Sequence, residues 1–270
     1  MVGLPGLRLW MHLPQAGQTH HWDLPEPLGC LALCTDGRLL LALAKSIRLA
    51  EAPQPDAPLA LETLCELEPG LGASTRSNDG RCDRHGNFVF GTKDETGADP
   101  PLGRYSQVSA AHGLRPLPLP TASVPNSICF SPDGATMYWC DSAHPKILCG
   151  DYDPVRATVA NVRVFAETRD GRAPDGSTVD AAGGLWNAHW DGSRAVRHAP
   201  DGRVDQVVAV PAGRPTCCAI GGEAFDTLYI TTAREDLDEA SLAEAPTAGG
   251  VFALPLASGS GAPEPRFRLA

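Results

Sequence analysis

The chain has 270 residues and a formal net charge of −10, from 32 acidic and 22 basic side chains. This balance excludes a nucleic-acid-binding protein, because phosphate contacts require a basic surface. Glycine and proline, 28 and 25 residues, make up about a fifth of the chain and are spread along it, which favours many short strands over helices. With 43% hydrophobic residues, we expect a single all-β domain over residues 1–270.

The cysteine content and the first 25 residues indicate the cellular compartment of the protein. The nine cysteines show no C-x-x-C spacing, so neither a disulfide framework nor a structural zinc site is indicated. Residues 1–25 contain no apolar run of the length that a signal peptide or a membrane helix requires. We therefore expect a cytoplasmic protein without membrane contact, present as a monomer or a weak homo-oligomer.

A hairpin pattern recurs along the chain: an apolar strand, a tight turn with glycine, and a second apolar strand. Its copies lie at residues 30–43, 81–92, 128–141, 177–188 and, more loosely, 217–231. The turn glycines Gly37, Gly86, Gly134 and Gly183 are separated by 49, 48 and 49 residues. Glycine tolerates the positive φ of such turns. A period of 40 to 50 residues with several short strands is typical of propeller blades.

The segments between the hairpins complete the blades. After the fourth hairpin, residues 195–198 and 204–210 supply two outer strands around a Pro-Asp-Gly turn, which predicts four strands per blade. Residues 235–245 read as one short surface helix or turn, and residues 249–254 as an outer strand. Residues 1–25 look like the outer half of a further blade whose inner strands are missing.

Three polar residues share one position in the repeat. Asn78, Asn126 and Asp175 each stand eight residues before a turn glycine, whereas the first copy has Gly29 there. Equivalent positions on neighbouring blades converge on the propeller axis, so these oxygen donors could share a cation such as Ca²⁺, Mg²⁺, Mn²⁺ or Zn²⁺. The alternative is that each residue only forms a turn, as Asn and Asp often do. The identical phase of all three favours the shared site.

A family resemblance covers essentially the whole chain. The residues that carry it, in order, are Arg76-Ser77-Asn78-Asp79-Gly80, Asn126 with Phe130-Ser131-Pro132-Asp133-Gly134, Pro174-Asp175-Gly176 with Gly184-Leu185-Trp186, and Arg214-Pro215-Thr216. Together they resemble the gluconolactonase and regucalcin (senescence marker protein) family. The resemblance implies a six-bladed β-propeller, here with an incomplete first blade, that binds one divalent cation and hydrolyses sugar lactones to their open acids.

The resemblance also implies roles for individual residues. Asn126 and Asp175 would be metal ligands, with Asp175 also the general base, and Asn78 would lie near both the metal and the substrate. Arg76 would hydrogen-bond the sugar. Independently of the resemblance, Asp94 and Glu95 lie in the long loop after the second hairpin, and we expect one of them, Glu95, to contact the substrate. We expect Ca²⁺ or Zn²⁺ as the cofactor, with Mn²⁺, Mg²⁺ and Fe²⁺ as alternatives.

The chain departs from the family pattern at three places. It has no Gly-Glu-Gly/Ser-Pro motif, which carries the family's first metal ligand; Ser127 replaces a usual glycine; and Lys93 replaces a frequent methionine. Two explanations fit the absence of this glutamate. Either the recorded start is an internal methionine of a longer gene product, which we favour, or the protein is a naturally shortened homologue. Two other functions stay open: a catalytically weakened or inactive metal- or ligand-binding propeller, and a metal-dependent esterase or phosphotriesterase.

Three more side chains have two interpretations each. Trp186 lines a sugar site or, as we favour, fills the space between blades. His189 is a structural group or faces the pocket, and we favour the structural role. Arg214 either holds a ligand or pairs with an acidic group on the surface.

Overall fold

The computed structural model describes residues 2–3, 7–55, 57–168 and 170–269. Nearly all regular structure is strand, arranged in sheets whose neighbouring strands are consecutive in the chain. Two compact units are present: Met1–Pro125 with Pro154–Ala157 and Pro265–Ala270, and Asn126–Asp153 with Thr158–Glu264. We refer to them as the first and second unit. That residues 1–270 form one domain stays a prediction.

The first unit contains three antiparallel sheets. The N-terminal sheet consists of β1 (Val2–Gly3), β2 (Arg8–Leu13) and β3 (Gln18–Asp23). The next sheet consists of β4 (Leu28–Leu33), β5 (Leu39–Leu43), β6 (Ser46–Ala50) and β7 (Leu61–Glu66). A 3-10 helix, Pro69–Ser74, leads to the third sheet, formed by β8 (Thr75–Cys82), β9 (Phe88–Asp94), β10 (Tyr105–Ser109) and β11 (Gly113–Pro116).

The second unit also contains three sheets. One consists of β12 (Pro125–Phe130), β13 (Thr136–Asp141), β14 (Lys146–Asp153) and β15 (Thr158–Glu167). Pro125, the first residue of β12, belongs to the first unit. The next consists of β16 (Ala173–Val179), β17 (Leu185–Trp190), β18 (Arg194–His198) and β19 (Val204–Ala209). The last consists of β20 (Pro215–Gly221), β21 (Thr227–Thr232) and β22 (Val251–Pro255), with helix α1 (Glu239–Glu244) before β22.

The all-β class is confirmed, but the prediction of six blades is wrong. Within the described residues the structure is a propeller with five blades, four of four strands and one of three. The N-terminal sheet is not counted as a sixth blade, because among the described residues β1 has only two residues, which pair with Leu9 and Arg8.

Local chemistry explains where the hairpins form. Each of the five predicted hairpins is present, and the turn glycines Gly37, Gly86, Gly134 and Gly183 have φ between 75° and 93°. L residues avoid this region because their Cβ meets the backbone. The predicted helix begins at Glu239, where the Asp238 carboxylate accepts a hydrogen bond from the Ser241 amide at 2.8 Å and caps the first turn.

Apolar cores lie between successive sheets of each unit. In the first unit, Phe88 and Phe90 of β9 pack against Leu40 and Ala42 of β5. Phe267, 1% exposed, enters the same core, and its amide donates to the carbonyl of Leu33 at 2.8 Å. The C-terminal segment is therefore held by burial of an aromatic ring, which contributes about 1.5–3 kcal/mol.

The second unit has matching cores on both faces of its middle blade. Trp186 of β17 is 2% exposed and packs with Cys218, Leu228 and Ile230 of the last blade. The packing role of Trp186 is thus confirmed. Within the described residues, no helix has the length and apolar character needed to cross a membrane.

Candidate active site

The repeat position singled out in the sequence coincides with β-bulges. In β8 the two residues Asn78 and Asp79 lie opposite one residue of β9, and in β16 Asp175 and Gly176 lie opposite one residue of β17. A bulge leaves residues out of the hydrogen-bonded ladder and re-aims their side chains, which is why bulges recur next to active sites. The eight-residue offset therefore marks a backbone feature that can present a polar side chain.

The first copy of the repeat carries glycine at this bulge for a steric reason. A Cβ added to Gly29 would lie 2.5 Å from Ser77 Oγ and 2.7 Å from the carbonyl oxygen of Asn78. Strand β4 therefore approaches β8 at a distance that only glycine allows. At this close distance, Gly29 of β4 packs against the main chain of Asn78.

In the first unit, Arg76, Asn78 and Glu95 are brought together as one polar cluster. Arg76 Nε lies 2.7 Å from Glu95 Oε1, and Arg76 Nη1 donates to Asn78 Oδ1 at 3.0 Å. Lys93, opposite Arg76 in the β8–β9 register, lies 3.7 Å from the same Glu95 oxygen. Arg76 and Glu95 retain 18% and 38% side-chain exposure. The cluster offers alternating donors and acceptors, which suit the hydroxyl groups of a sugar.

The orientation of Asn78 is fixed at both ends of its carboxamide. Its Nδ2 donates to the carbonyl of Pro125 at 2.9 Å, while its Oδ1 accepts from Arg76. A cation on that oxygen would face the positive guanidinium group, and like charges at such short range repel. These contacts favour substrate positioning over metal ligation for Asn78.

The loop after β9 is organised by one carboxylate. Asp94 accepts hydrogen bonds from the amides of Thr96, Ala98 and Leu102 and from the Thr96 hydroxyl, at 2.7–3.1 Å. These donors, led by the Thr96 hydroxyl, lower the pKa of Asp94 to about 2. Asp94 is thus a structural residue that fixes the loop beside Glu95.

In the second unit, a short chain of hydrogen bonds links Asn126 to Pro174, the residue before Asp175. Asn126, 6% exposed, donates from Nδ2 to Ser142 Oγ at 2.9 Å, and Ser142 Oγ donates to the carbonyl of Pro174 at 2.6 Å. Asn126 Oδ1 therefore points away from Ser142, and Asp175 follows Pro174 directly. That Asn78 joins Asn126 and Asp175 stays a prediction, because Asn78 belongs to the first unit.

A buried polar network lies behind Asp175. Ser127 Oγ and Asn187 Nδ2 both donate to the main-chain carbonyl of Asp175, at 2.6 and 2.8 Å. Ser177 Oγ lies 2.9 Å from both donors. From the sequence, Ser127 was identified only as a departure from the family pattern, and Asn187 was not identified. The available signal was a carboxamide in the otherwise apolar and aromatic run of β17.

His189 and Arg214 both contact neighbouring side chains. Arg214 pairs with an acidic group, which was one of its two interpretations, and His189 is buried, as its favoured structural role requires. Arg214 Nε lies 2.9 Å from Asp191 Oδ1, and its guanidinium lies 5.1 Å from the ring centroid of Trp190. His189 is 3% exposed, and its Nδ1 accepts from Arg194 Nε at 3.2 Å. Burial, followed by the charge of Arg194, lowers the pKa of His189 to about 4.

We expect His189 to make the protein less stable as the pH falls from about 6.5 to about 4. In this window an unfolded histidine binds a proton while the folded one does not, so protonation favours unfolding. The loss reaches about 3 kcal/mol at full effect. His198, whose pKa is also lowered by burial, adds in the same direction. Urea denaturation of wild type and His189→Gln from pH 7.5 to 4.5 measures the effect.

The free energy of unfolding of His189→Gln should depend less steeply on pH than that of the wild type. The control His112→Gln changes an exposed histidine and should not show this flattening. Identical slopes for wild type and His189→Gln would contradict the assignment.

A cavity of about 560 Å³ lies at the other end of the middle blade of the second unit, lined by residues that include Asp180, Trp186, Arg197 and Asp205. Asp180 follows β16 at the end opposite to Asp175. Its carboxylate accepts four hydrogen bonds, two from main-chain amides and two from Trp186 Nε1 and Arg197 Nε. The charged groups of this cavity are therefore occupied by one another.

The donors of the second unit fit a hard divalent cation. Asn126 and Asp175 supply carboxamide and carboxylate oxygens, which such cations prefer. Among the described residues, no three His, Cys, Asp or Glu side chains are grouped to hold a metal. That Asn126 and Asp175 share a cation stays a prediction.

The blades define this protein as an all-β propeller, and comparison with known proteins gives its family. The family model described as SMP-30/Gluconolactonase/LRE-like region matches residues 2–234. L-arabinolactonase from Azospirillum brasilense is 46% identical over 255 residues, which are 93% of this chain and 82% of the relative. The chain therefore belongs to the SMP-30/gluconolactonase family, and the resemblance found in the sequence is confirmed.

Two further comparisons agree. The 6-deoxy-6-sulfogluconolactonase of Pseudomonas putida is 37% identical over 89% of this chain and 80% of the relative. The crystal structure of a calcium-binding protein, regucalcin, from Agrobacterium tumefaciens superposes with a TM-score of 0.89 at 31% identity, covering 99% of this chain and 88% of that chain.

Proposed function

We propose that the protein is a hydrolase that opens sugar lactones to the corresponding acids, with an aldonolactone as its small-molecule substrate. The observation that carries this proposal is the 46% identity to an L-arabinolactonase over 93% of the chain. The similarity to a sulfogluconolactonase adds support for the lactone class and not for one sugar.

Asp175 is the proposed general base. It lies at a bulge of β16, and its main-chain carbonyl accepts hydrogen bonds from Ser127 and Asn187. In lactone hydrolysis a water adds to the carbonyl carbon, and the bond to the ring oxygen breaks. Asp175 would accept the proton of that water and return it to the departing ring oxygen, which becomes a hydroxyl group of the open acid.

We propose that Asn126 and Asp175 hold one divalent metal, Ca²⁺ or Zn²⁺. The calcium-binding description of the regucalcin relative and the oxygen donors of the second unit support a divalent ion. When bound, such an ion polarises the lactone carbonyl and lowers the pKa of water. The structure offers Asn126 a fixed carboxamide orientation for this role through Ser142.

The polar cluster of the first unit is proposed to orient the sugar. Arg76 and Glu95 combine donors and acceptors at partly exposed positions, and Asn78 extends them with a carboxamide. Correct orientation of the lactone lowers the barrier by fixing the carbonyl relative to water.

The test is hydrolysis by the purified chain of L-arabinonolactone, gluconolactone and other aldonolactones, followed by acid release at constant pH. We expect turnover that EDTA abolishes and that a divalent metal restores. Aryl esters and phosphotriesters, assayed beside the lactones, should react much more slowly. Absence of lactone turnover with each of Ca²⁺, Zn²⁺, Mn²⁺, Mg²⁺ and Fe²⁺ would contradict the proposal, and metal binding measured without turnover would identify a binding protein instead.

A further inference from the structure

Two energetically costly features meet behind Asp175. Ser127 lies within β12 and is fully buried, yet it has a φ of 60°, in the left-handed region that favours glycine. Asn187 is also fully buried, and its Oδ1 has no hydrogen-bond partner among the described residues. A glycine at position 127 would remove the strain, and an apolar side chain at position 187 would remove the unpaired oxygen.

The hydrogen bonds of this network have one consistent direction. A carbonyl oxygen only accepts, so Ser127 Oγ must donate its single proton to the Asp175 carbonyl. Ser127 Oγ can then only accept, so the contact of 2.9 Å with Ser177 Oγ takes its proton from Ser177. Asn187 Nδ2 donates to the Asp175 carbonyl and lies 2.9 Å from both hydroxyl groups. Ser127 and Asn187 therefore both donate to the carbonyl of Asp175, and Ser177 donates to Ser127.

The network joins the two strands that carry the proposed reactive groups. Ser127 follows Asn126 in β12, whereas Ser177 and Asp175 belong to β16, the first strand of the neighbouring blade. Asp175 lies where the register between β16 and β17 shifts at a bulge. The side chains of Ser127 and Asn187 add two hydrogen bonds to its main-chain carbonyl at that place.

We propose that Ser127 and Asn187 are positioning residues that hold the main chain of Asp175 in its bulge and fix it relative to Asn126. This inference rests on the proposed function for its catalytic consequence. Strain and an unpaired polar atom persist at one place when the surrounding structure serves a function there. Neither residue touches substrate; both act through Asp175.

The experiment uses Ser127→Gly and Asn187→Leu, which remove the restraint together with its cost. We expect both variants to keep or exceed the Tm of the wild type, because strain and the unpaired oxygen are lost with the hydrogen bonds. We expect kcat on the best aldonolactone to fall about 10-fold to 100-fold with little change in KM, since a displaced catalytic group impairs the chemical step.

The matched control is Ser131→Ala in the same hairpin. Ser131 is 9% exposed and donates to Asp133 Oδ1, in the turn away from Asn126. We expect this variant to lower Tm and leave kcat unchanged. Activity would thus fall without a loss of stability in Ser127→Gly and Asn187→Leu, and stability would fall without a loss of activity in Ser131→Ala. A purely structural role for Ser127 and Asn187 predicts that both quantities fall together.

A second readout does not depend on activity. Amide hydrogen exchange in the peptide spanning residues 173–179 should be faster in Ser127→Gly and Asn187→Leu than in the wild type or Ser131→Ala. Wild-type exchange in this peptide, or wild-type kcat, in both variants would overturn the inference. If the wild type hydrolyses no lactone, the proposed function fails, and the exchange measurement alone decides whether the main chain of Asp175 is held by these two residues.

Discussion

Replacing Asp175 by alanine should lower kcat/KM on the best aldonolactone by about 1,000-fold or more, because a positioned base alone contributes 100-fold to 10,000-fold. The same change removes the proposed charged metal ligand, so divalent-ion affinity measured by calorimetry should fall with it. Folding should be retained, since the network behind Asp175 uses its main-chain carbonyl and not its carboxylate.

Arg76→Ala should have a smaller effect of a different kind. Loss of its contacts to Glu95 and Asn78 removes substrate orientation, so we expect an increase in KM with a fall in kcat/KM of about 10-fold to 100-fold.

The matched control for Asp175→Ala is Asp201→Ala, because Asp201 also lies in a Pro-Asp-Gly sequence but in an exposed turn. It should behave as the wild type. Equal, modest effects of Asp175→Ala and Arg76→Ala would contradict the assigned roles.

Replacing Asp180 by alanine should destabilise the protein by about 3 kcal/mol without reducing the activity of the folded fraction. The carboxylate is 5% exposed and accepts from two main-chain amides, Trp186 Nε1 and Arg197 Nε. Its removal leaves these donors without their acceptor, and breaking a buried pair on one side costs about 3–5 kcal/mol. Activity should persist because Asp180 lies at the end of β16 away from Asp175.

The control for this prediction is the other acid that Arg197 contacts. Asp205 has a side chain that is 51% exposed, and exposed ion pairs contribute about 0–1 kcal/mol. Asp205→Ala should therefore change the free energy of unfolding by less than about 1 kcal/mol, as measured by urea denaturation. If both variants lose the same stability, the buried hydrogen bonds of Asp180 are not what holds this turn.

The hairpins and the bulge positions could be predicted because their causes are local. A tight turn needs a residue that tolerates positive φ, so Gly37, Gly86, Gly134 and Gly183 mark the turns directly in the sequence. Counting back from a turn then gives a fixed place on the preceding strand, and the bulges at Asn78 and Asp175 fall there. The motifs that carry the family resemblance lie in or beside these same hairpins.

The blade count and the surroundings of each polar group were decided by tertiary structure. Strand signals in residues 1–25 cannot show whether these residues complete a blade, because that depends on which strands pair. Among the described residues, β1 pairs with β2 at two positions. Likewise, Asn187 is one carboxamide among apolar neighbours in the sequence, and its contact to the Asp175 carbonyl arises only when β17 folds against β16. The sequence by itself determined the hairpins, the repeat and the family. Long-range pairing, which local chemistry does not encode, decided the number of blades and the network that holds Asp175.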